Sequence, residues 1–211
     1  MKQGFAVIIA WPDTLCKQAG AWYDFVIQPI GFGTNGYYKA GHAAIVMVNS
    51  EGDCSYYDFG RYHSPHGHGR VRCVKTDHDL EIKTKICFNE NGNPILRGLF
   101  NELNNNPSCH GEGLLRAGTI AVDFDACMKY INRLQSRDYV PYGPFIKPGT
   151  NCSRFVRSVA RVGTRSRVQK VKLSLAWMLT PSPIWNIKTV GEHIVEKEMV
   201  IENANSEYEI A

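Results

Sequence analysis

Strand-like and helix-like stretches occupy separate blocks of this 211-residue chain, and that order predicts an α+β fold, an antiparallel sheet with helices packed to one side of it. Three observations carry the prediction. Residues 4–11 are rich in Ile, Val and Phe without clean alternation, which is how a strand buried on both faces reads. Residues 42–48 and 55–59 flank a polar turn at 49–53, the pattern of a β-hairpin. Apolar residues then return at helical spacing over 94–104, over 124–134 and again after Cys152.

In chain order, Pro12 ends the first strand, and Leu15, Ala19, Trp22 and Val26 predict a helix over 13–27. Residues 31–36 form a glycine-rich loop. It is not a phosphate cradle, because no Gly-Lys-Ser/Thr follows and no helix begins there. Beyond the hairpin, further strands are expected over 70–74 and 80–88. Asp123 or Asp125 supplies a cap for the helix over 124–134, and residues 168–179 are apolar with their type left open. One domain is expected over 1–190, followed by an acidic tail over 191–211.

With 44% hydrophobic and 21% charged residues, the composition is that of an ordinary globular chain able to bury a substantial core. The N-terminal apolar run is too short to span a bilayer and lacks a signal-peptide pattern. A cytoplasmic location is therefore expected, or export by a signal-independent route. Seven cysteines without metal-type pairing imply free thiols in a reducing compartment, and no cofactor is expected. The net charge of +4 is unevenly spread, with seven Arg or Lys and no acid over 154–172 against six Glu and one Lys over 192–209. No aromatic residues interleave with the basic ones from Arg157 to Lys172, which argues against a stacking groove for nucleic acid.

The sequence Gly149-Thr150-Asn151-Cys152-Ser153-Arg154-Phe155-Val156 reads as a loop running straight into a helix, with Thr150 or Asn151 as cap. Cys152 then sits in the first turn, where unpaired N–H groups and the helix dipole favour a thiolate. Arg154, Arg157 and Arg161 fall on the opposite face. The competing reading is a buried structural cysteine, since free cysteine is among the most buried residue types.

Two segments carry a resemblance. Pro141-Tyr142-Gly143-Pro144-Phe145, a short loop and Asn151-Cys152-Ser153-Arg154-Phe155-Val156 resemble the cysteine signature of the NlpC-type cell-wall peptidases, a branch of the papain-like cysteine hydrolases. The Asn-Cys-x-x-Phe-Val form also resembles the lecithin:retinol acyltransferase branch. Gly41-His42-Ala43-Ala44-Ile45-Val46 resembles the histidine strand of the same superfamily, and here it precedes the cysteine, the order of circularly permuted members. The resemblance implies a papain-like sheet with the cysteine at a helix N-terminus, and a thiol hydrolase acting on a peptide or amide such as a cell-wall stem peptide. Arg154 stands where the family has a small residue, a departure that bears on the shape of the substrate groove.

Under that resemblance Cys152 is the nucleophile and His42 the imidazole that keeps it ionised and protonates the leaving group. The third residue, a dozen or so positions beyond the histidine, is Tyr56, Tyr57 or Asp58; Asp58 is preferred because a carboxylate best stabilises an imidazolium and the hairpin brings it beside His42. Tyr142 matches the family's tyrosine near the cysteine, a donor to the developing oxyanion together with the Cys152 N–H. The alternatives are a core histidine, a turn aspartate before Gly60 and a packing tyrosine. His63, His66 and His68 form a rival cluster for a metal, but their spacing fits no rigid helix or known finger, so the loop is read as a cleft rim and no metal is assigned. Acyl transfer or lipid deacylation on the same fold, with membrane contact through the basic run, and a non-catalytic binding module are the alternative functions.

Overall fold

A computed structural model describes residues 3–17, 33–34, 36–109, 111–175 and 182–193. Its fold is α+β, as the order of elements predicts. The described strands are β1 (Gln3–Trp11), β2 (Leu15–Lys17), β3 (Gly33–Thr34), β4 (Tyr37–Lys39), β5 (His42–Val48), β6 (Cys54–Gly60), β7 (His68–Arg72), β8 (Arg116–Asp123), β9 (Val140–Pro141) and β10 (Glu192–His193). The described α-helices are α1 (Arg97–Asn105), α2 (Phe124–Gln135), α3 (Cys152–Gly163), α4 (Arg167–Leu175) and α5 (Pro183–Val190). Seven strands make one sheet in the order β10-β8-β1-β5-β6-β7-β9, every neighbouring pair antiparallel. β2, β4 and β3 make a second, small sheet.

β1 and β5 lie at the centre of the large sheet, and every residue of β5 is buried. Their apolar runs lack alternation because both faces of the sheet are covered. On one face, Ile8, Ile45, Met47 and Phe59 pack with Cys127 and Ile131 of α2, Phe155, Val156 and Val159 of α3, Leu173 of α4 and Ile187 of α5. On the other, Val7, Ile9, Val46 and Tyr56 meet Leu99, Phe100 and Leu103 of α1. One-sided packing thus holds for α2–α5, while α1 crosses over to cover the face they leave bare.

Other expectations needed correction. The helix over 13–27 does not begin where its spacing suggests, because Leu15–Lys17 pairs with β4; the remainder of that stretch lies outside the described residues. No strand forms over 80–88. Both edges of β5 and of β6 already have partners, so Leu80 and Ile86 serve as separate plugs in the α1-side core. β8, with small residues in its middle, escaped the sequence reading, yet it is the second neighbour of β1. The apolar stretch of open type resolves, as far as Leu175, into α4. At the far end, Glu192 and His193 pair with β8 and Glu192 forms an ion pair with Arg116; the rest of the acidic segment lies outside the described residues.

Candidate active site

Helix α3 begins at Cys152 because Asn151, in extended backbone, turns its side-chain oxygen to accept the Arg154 N–H at 2.9 Å. Its first turn is braced from outside: the fully buried Asn186 of α5 donates to the Ser153 carbonyl at 2.9 Å and to its hydroxyl at 2.8 Å. The preceding loop is held by Arg154, whose guanidinium donates to the carbonyls of Gly143, Pro144, Ile146 and Gly149 at 2.6–3.4 Å. This large residue ties down the segment that leads to the cysteine.

His42 is the first residue of β5, at the end of the sheet on which α3 packs. Gly41 precedes it with φ of +71°, a left-handed conformation that favours glycine, and the chain there turns from β4 into β5. The His42 ring stacks on Trp11, its register partner on β1, with centroids 5.9 Å apart. Cys152 lies close enough to His42 for its charge to help raise the imidazole pKa. Nε2 of His42 donates to Asp58 Oδ2 at 3.3 Å.

Asp58 has no exposure at all, so its ionisation depends on its partners. Arg72 sits opposite it on β7 and donates from Nε to Oδ1 at 3.0 Å and from Nη2 to Oδ2 at 2.6 Å. Tyr56 donates to Oδ2 at 3.2 Å and Tyr62 at 3.4 Å. Burial works to raise the Asp58 pKa, but the hydrogen bonds from His42 and Arg72 and their charges outweigh it and leave it below the usual carboxylate range. Burial likewise works to lower the His42 pKa, and the hydrogen bonds and charges of Asp58 and Cys152 overcome it, raising the imidazole to about 9.

Gly60 makes room for this arrangement: a Cβ there would lie 2.3 Å from the Tyr62 ring. Tyr62 thereby comes within 3.4 Å of His42 Nε2 and carries the Arg72 guanidinium on its face at 3.5 Å. Tyr142 stacks on Phe59 with centroids 5.9 Å apart, and the Arg61 guanidinium lies 5.3 Å above its ring. Burial and then the nearby Cys152 charge push its phenol well above the usual range, so it stays a hydrogen-bond donor. His42, Tyr62 and Tyr142 face an open cleft of about 620 Å³ that is also lined by Cys16, Arg61, Glu112 and the loop from Ser64 to Gly67.

The structure therefore brings Cys152, His42, Asp58 and Tyr142 to one place. The histidine loop forms a cleft wall, and among the described residues no cluster of three or more His, Cys, Asp or Glu is disposed to hold a metal. Cys109 is buried under the Asp58 side of the site, its thiol pushed up to about 12 mainly by burial. Sequence reasoning missed three participants. Arg72 and Tyr62 were legible only through the register of β6 and β7 and the open space above Gly60. Cys16, on β2, lies near enough for the Cys152 charge to add to burial in raising its thiol to about 11.

No curated protein and no solved structure matches the chain. The profile of one family, described as type VI secretion system effector TseH-like, matches residues 6–169, a segment that runs from the first strand of the sheet through α3 and contains all four of these residues. Since that match spans well over half of the sequence, the chain belongs to the TseH-like family of type VI secretion system effectors.

Proposed function

We propose that this effector is a thiol-dependent hydrolase that cleaves an amide bond, in a peptide such as a cell-wall stem peptide, on a circularly permuted papain-like scaffold. The observation that carries the reading is the hydrogen-bonded series His42–Asp58–Arg72, anchored in the sheet, with Cys152 at the N-terminus of α3 beside His42. In the first step the Cys152 sulfur attacks the amide carbonyl carbon. Negative charge gathers on the oxygen, within reach of the Cys152 N–H, which as the first residue of its helix has no intrahelical acceptor, and of the Tyr142 hydroxyl. The His42 imidazolium gives its proton to the departing amine, leaving a thioester. Water then attacks the thioester, His42 takes its proton, and the carboxylic acid leaves with the sulfur restored. Asp58 holds the ring in orientation throughout, and Arg72 holds Asp58. Delivery by a secretion apparatus would carry such an enzyme to a wall substrate.

The test is hydrolysis of purified stem peptides, read by mass spectrometry of the fragments. Cys152→Ala is expected to lower the rate by about 10⁴-fold or more while the circular dichroism spectrum stays unchanged. Iodoacetamide should label Cys152 ahead of the other six cysteines. Cleavage that survives Cys152→Ala, or even labelling of all exposed thiols, would sink the reading.

A second reading, lipid deacylation, is favoured by one observation. Helix α4 exposes Val168, Val171 and Leu175 at 64%, 59% and 71%, beside Arg167 and Lys170. Such a face suits an anionic membrane surface. Sedimentation with anionic vesicles at low salt, lost in Leu175→Asp, would support it, and absence of sedimentation would remove it.

A further inference from the structure

Away from the cleft, the opposite side of α3 borders a second cavity of about 850 Å³, closed by α2 and by residues 147–150. No residue lining it also lines the cleft. Five of its lining side chains are cationic, Arg133, Arg137, Lys147, Arg154 and Arg157, and none is a carboxylate. Arg154 is committed to the loop carbonyls, and Arg133 lies over the Tyr130 ring at 5.4 Å.

Arg157 differs from both. Its Nε and Nη1 are buried and have no hydrogen-bond partner among the described residues. Burial, followed by the charges of Arg161 and Arg154, pulls its pKa below the ordinary arginine value. Buried donors left unmade are costly, and like charges gathered round one volume add to that cost. A multivalent anion would relieve both, because its oxygens accept charge-assisted hydrogen bonds and its charge offsets several guanidinium groups at once.

From the unpartnered Arg157 donors and the acid-free ring of arginines around the cavity, we infer a binding site for a phosphate group. Arg157 supplies unpartnered buried N–H donors, Arg133 and Arg137 add positive charge at the exposed side, and the Tyr130 and Ser158 side chains border the remaining space. The inference is independent of the reaction at Cys152. The same dianionic chemistry is offered by a soluble phosphate monoester and by a phosphomonoester lipid headgroup.

The test uses the full chain in sodium chloride buffer and follows thermal unfolding as inorganic phosphate replaces chloride at constant ionic strength. Phosphate stabilises many proteins by exclusion from their surface, so the diagnostic quantity is the difference between variants. The wild type should gain several degrees in Tm, the exposed-site control Lys75→Gln should gain the same, and Arg157→Gln should lose most of the gain. Should Arg157→Gln fail to fold, the exposed pair Arg133→Gln with Arg137→Gln gives the same comparison. Glycerol phosphate then separates the two sources from vesicles of phosphatidic acid in phosphatidylcholine. Arg157-dependent calorimetric binding of glycerol phosphate identifies a soluble ligand; Arg157-dependent sedimentation with vesicles, uncontested by glycerol phosphate, identifies a lipid headgroup. An equal phosphate gain in wild type and both arginine variants, with no variant-dependent binding in either arm, overturns the inference.

Discussion

Two polar regions flank the same helix and treat buried charge in opposite ways. Around Asp58, four side chains donate to one carboxylate, and Arg72 answers its charge directly. Around Arg157, cations face one another across a cavity and two buried donors go unanswered. A fully satisfied network fixes its members in place, which is what a group that must present one ring orientation requires. An unsatisfied one retains binding energy for something that arrives later. The contrast separates a region built to hold its own residues from one built to receive a partner.

The sharpest way to break the contrast is at His42. His42→Ala should cost about 10⁴-fold in the peptide-cleavage rate, because both proton transfers lose their carrier while the fold keeps its sheet. Asp58→Asn should act next most strongly, through pH. With the wild-type imidazole raised to about 9, the proton needed by the leaving group is retained up to that pH and the rate falls above it. Removing the Asp58 charge should move that alkaline limb toward the ordinary histidine range, seen in the pH profile of kcat/KM. The same shift makes a stability statement. The His42 contribution is fully present below 6.5 and is lost as pH rises through about 9, so urea midpoints should fall across that window in the wild type and much less in Asp58→Asn.

Arg72→Ala leaves a buried carboxylate without its cation, and about 3–5 kcal/mol of stability should disappear in urea unfolding. Arg154→Ala should cost less, about 2–3 kcal/mol, since it frees loop carbonyls that water can partly satisfy. Arg157→Gln should be the mildest. In phosphate-free buffer its Tm should match or slightly exceed that of the wild type, because the side chain satisfies nothing there. A large fall would mean that Arg157 belongs with Arg72 as a structural ion, and the contrast between the two regions would dissolve.

The parts of the fold legible in the sequence were those with local signals. The 42–48 and 55–59 hairpin was plain because its turn, Asn49 to Asp53, is closed by its own hydrogen bonds. The helix at 124–135 announced its cap, and Asp123 accepts the Ala126 N–H as such a residue should. β8 was not legible. Its Ala117 and Gly118 carry little strand signal, and it is a strand because β1 offers an edge from more than a hundred residues away. The stretch over 80–88 failed for the converse reason, alternating residues beside β5 and β6, whose edges are both already paired.

By itself the sequence determined that Cys152 opens a helix, that His42 opens a strand and that Asp58 lies on the strand beside it, because capping, turn chemistry and two-residue periodicity act over a few positions. Tertiary structure alone decided that Cys152 comes beside His42, that Arg72 and Tyr62 hold Asp58, and that Arg157 faces a cavity without a carboxylate. Those outcomes depend on strand register and on helix placement over the sheet, which are set by the burial of apolar surface across the whole chain and leave no mark at any single position.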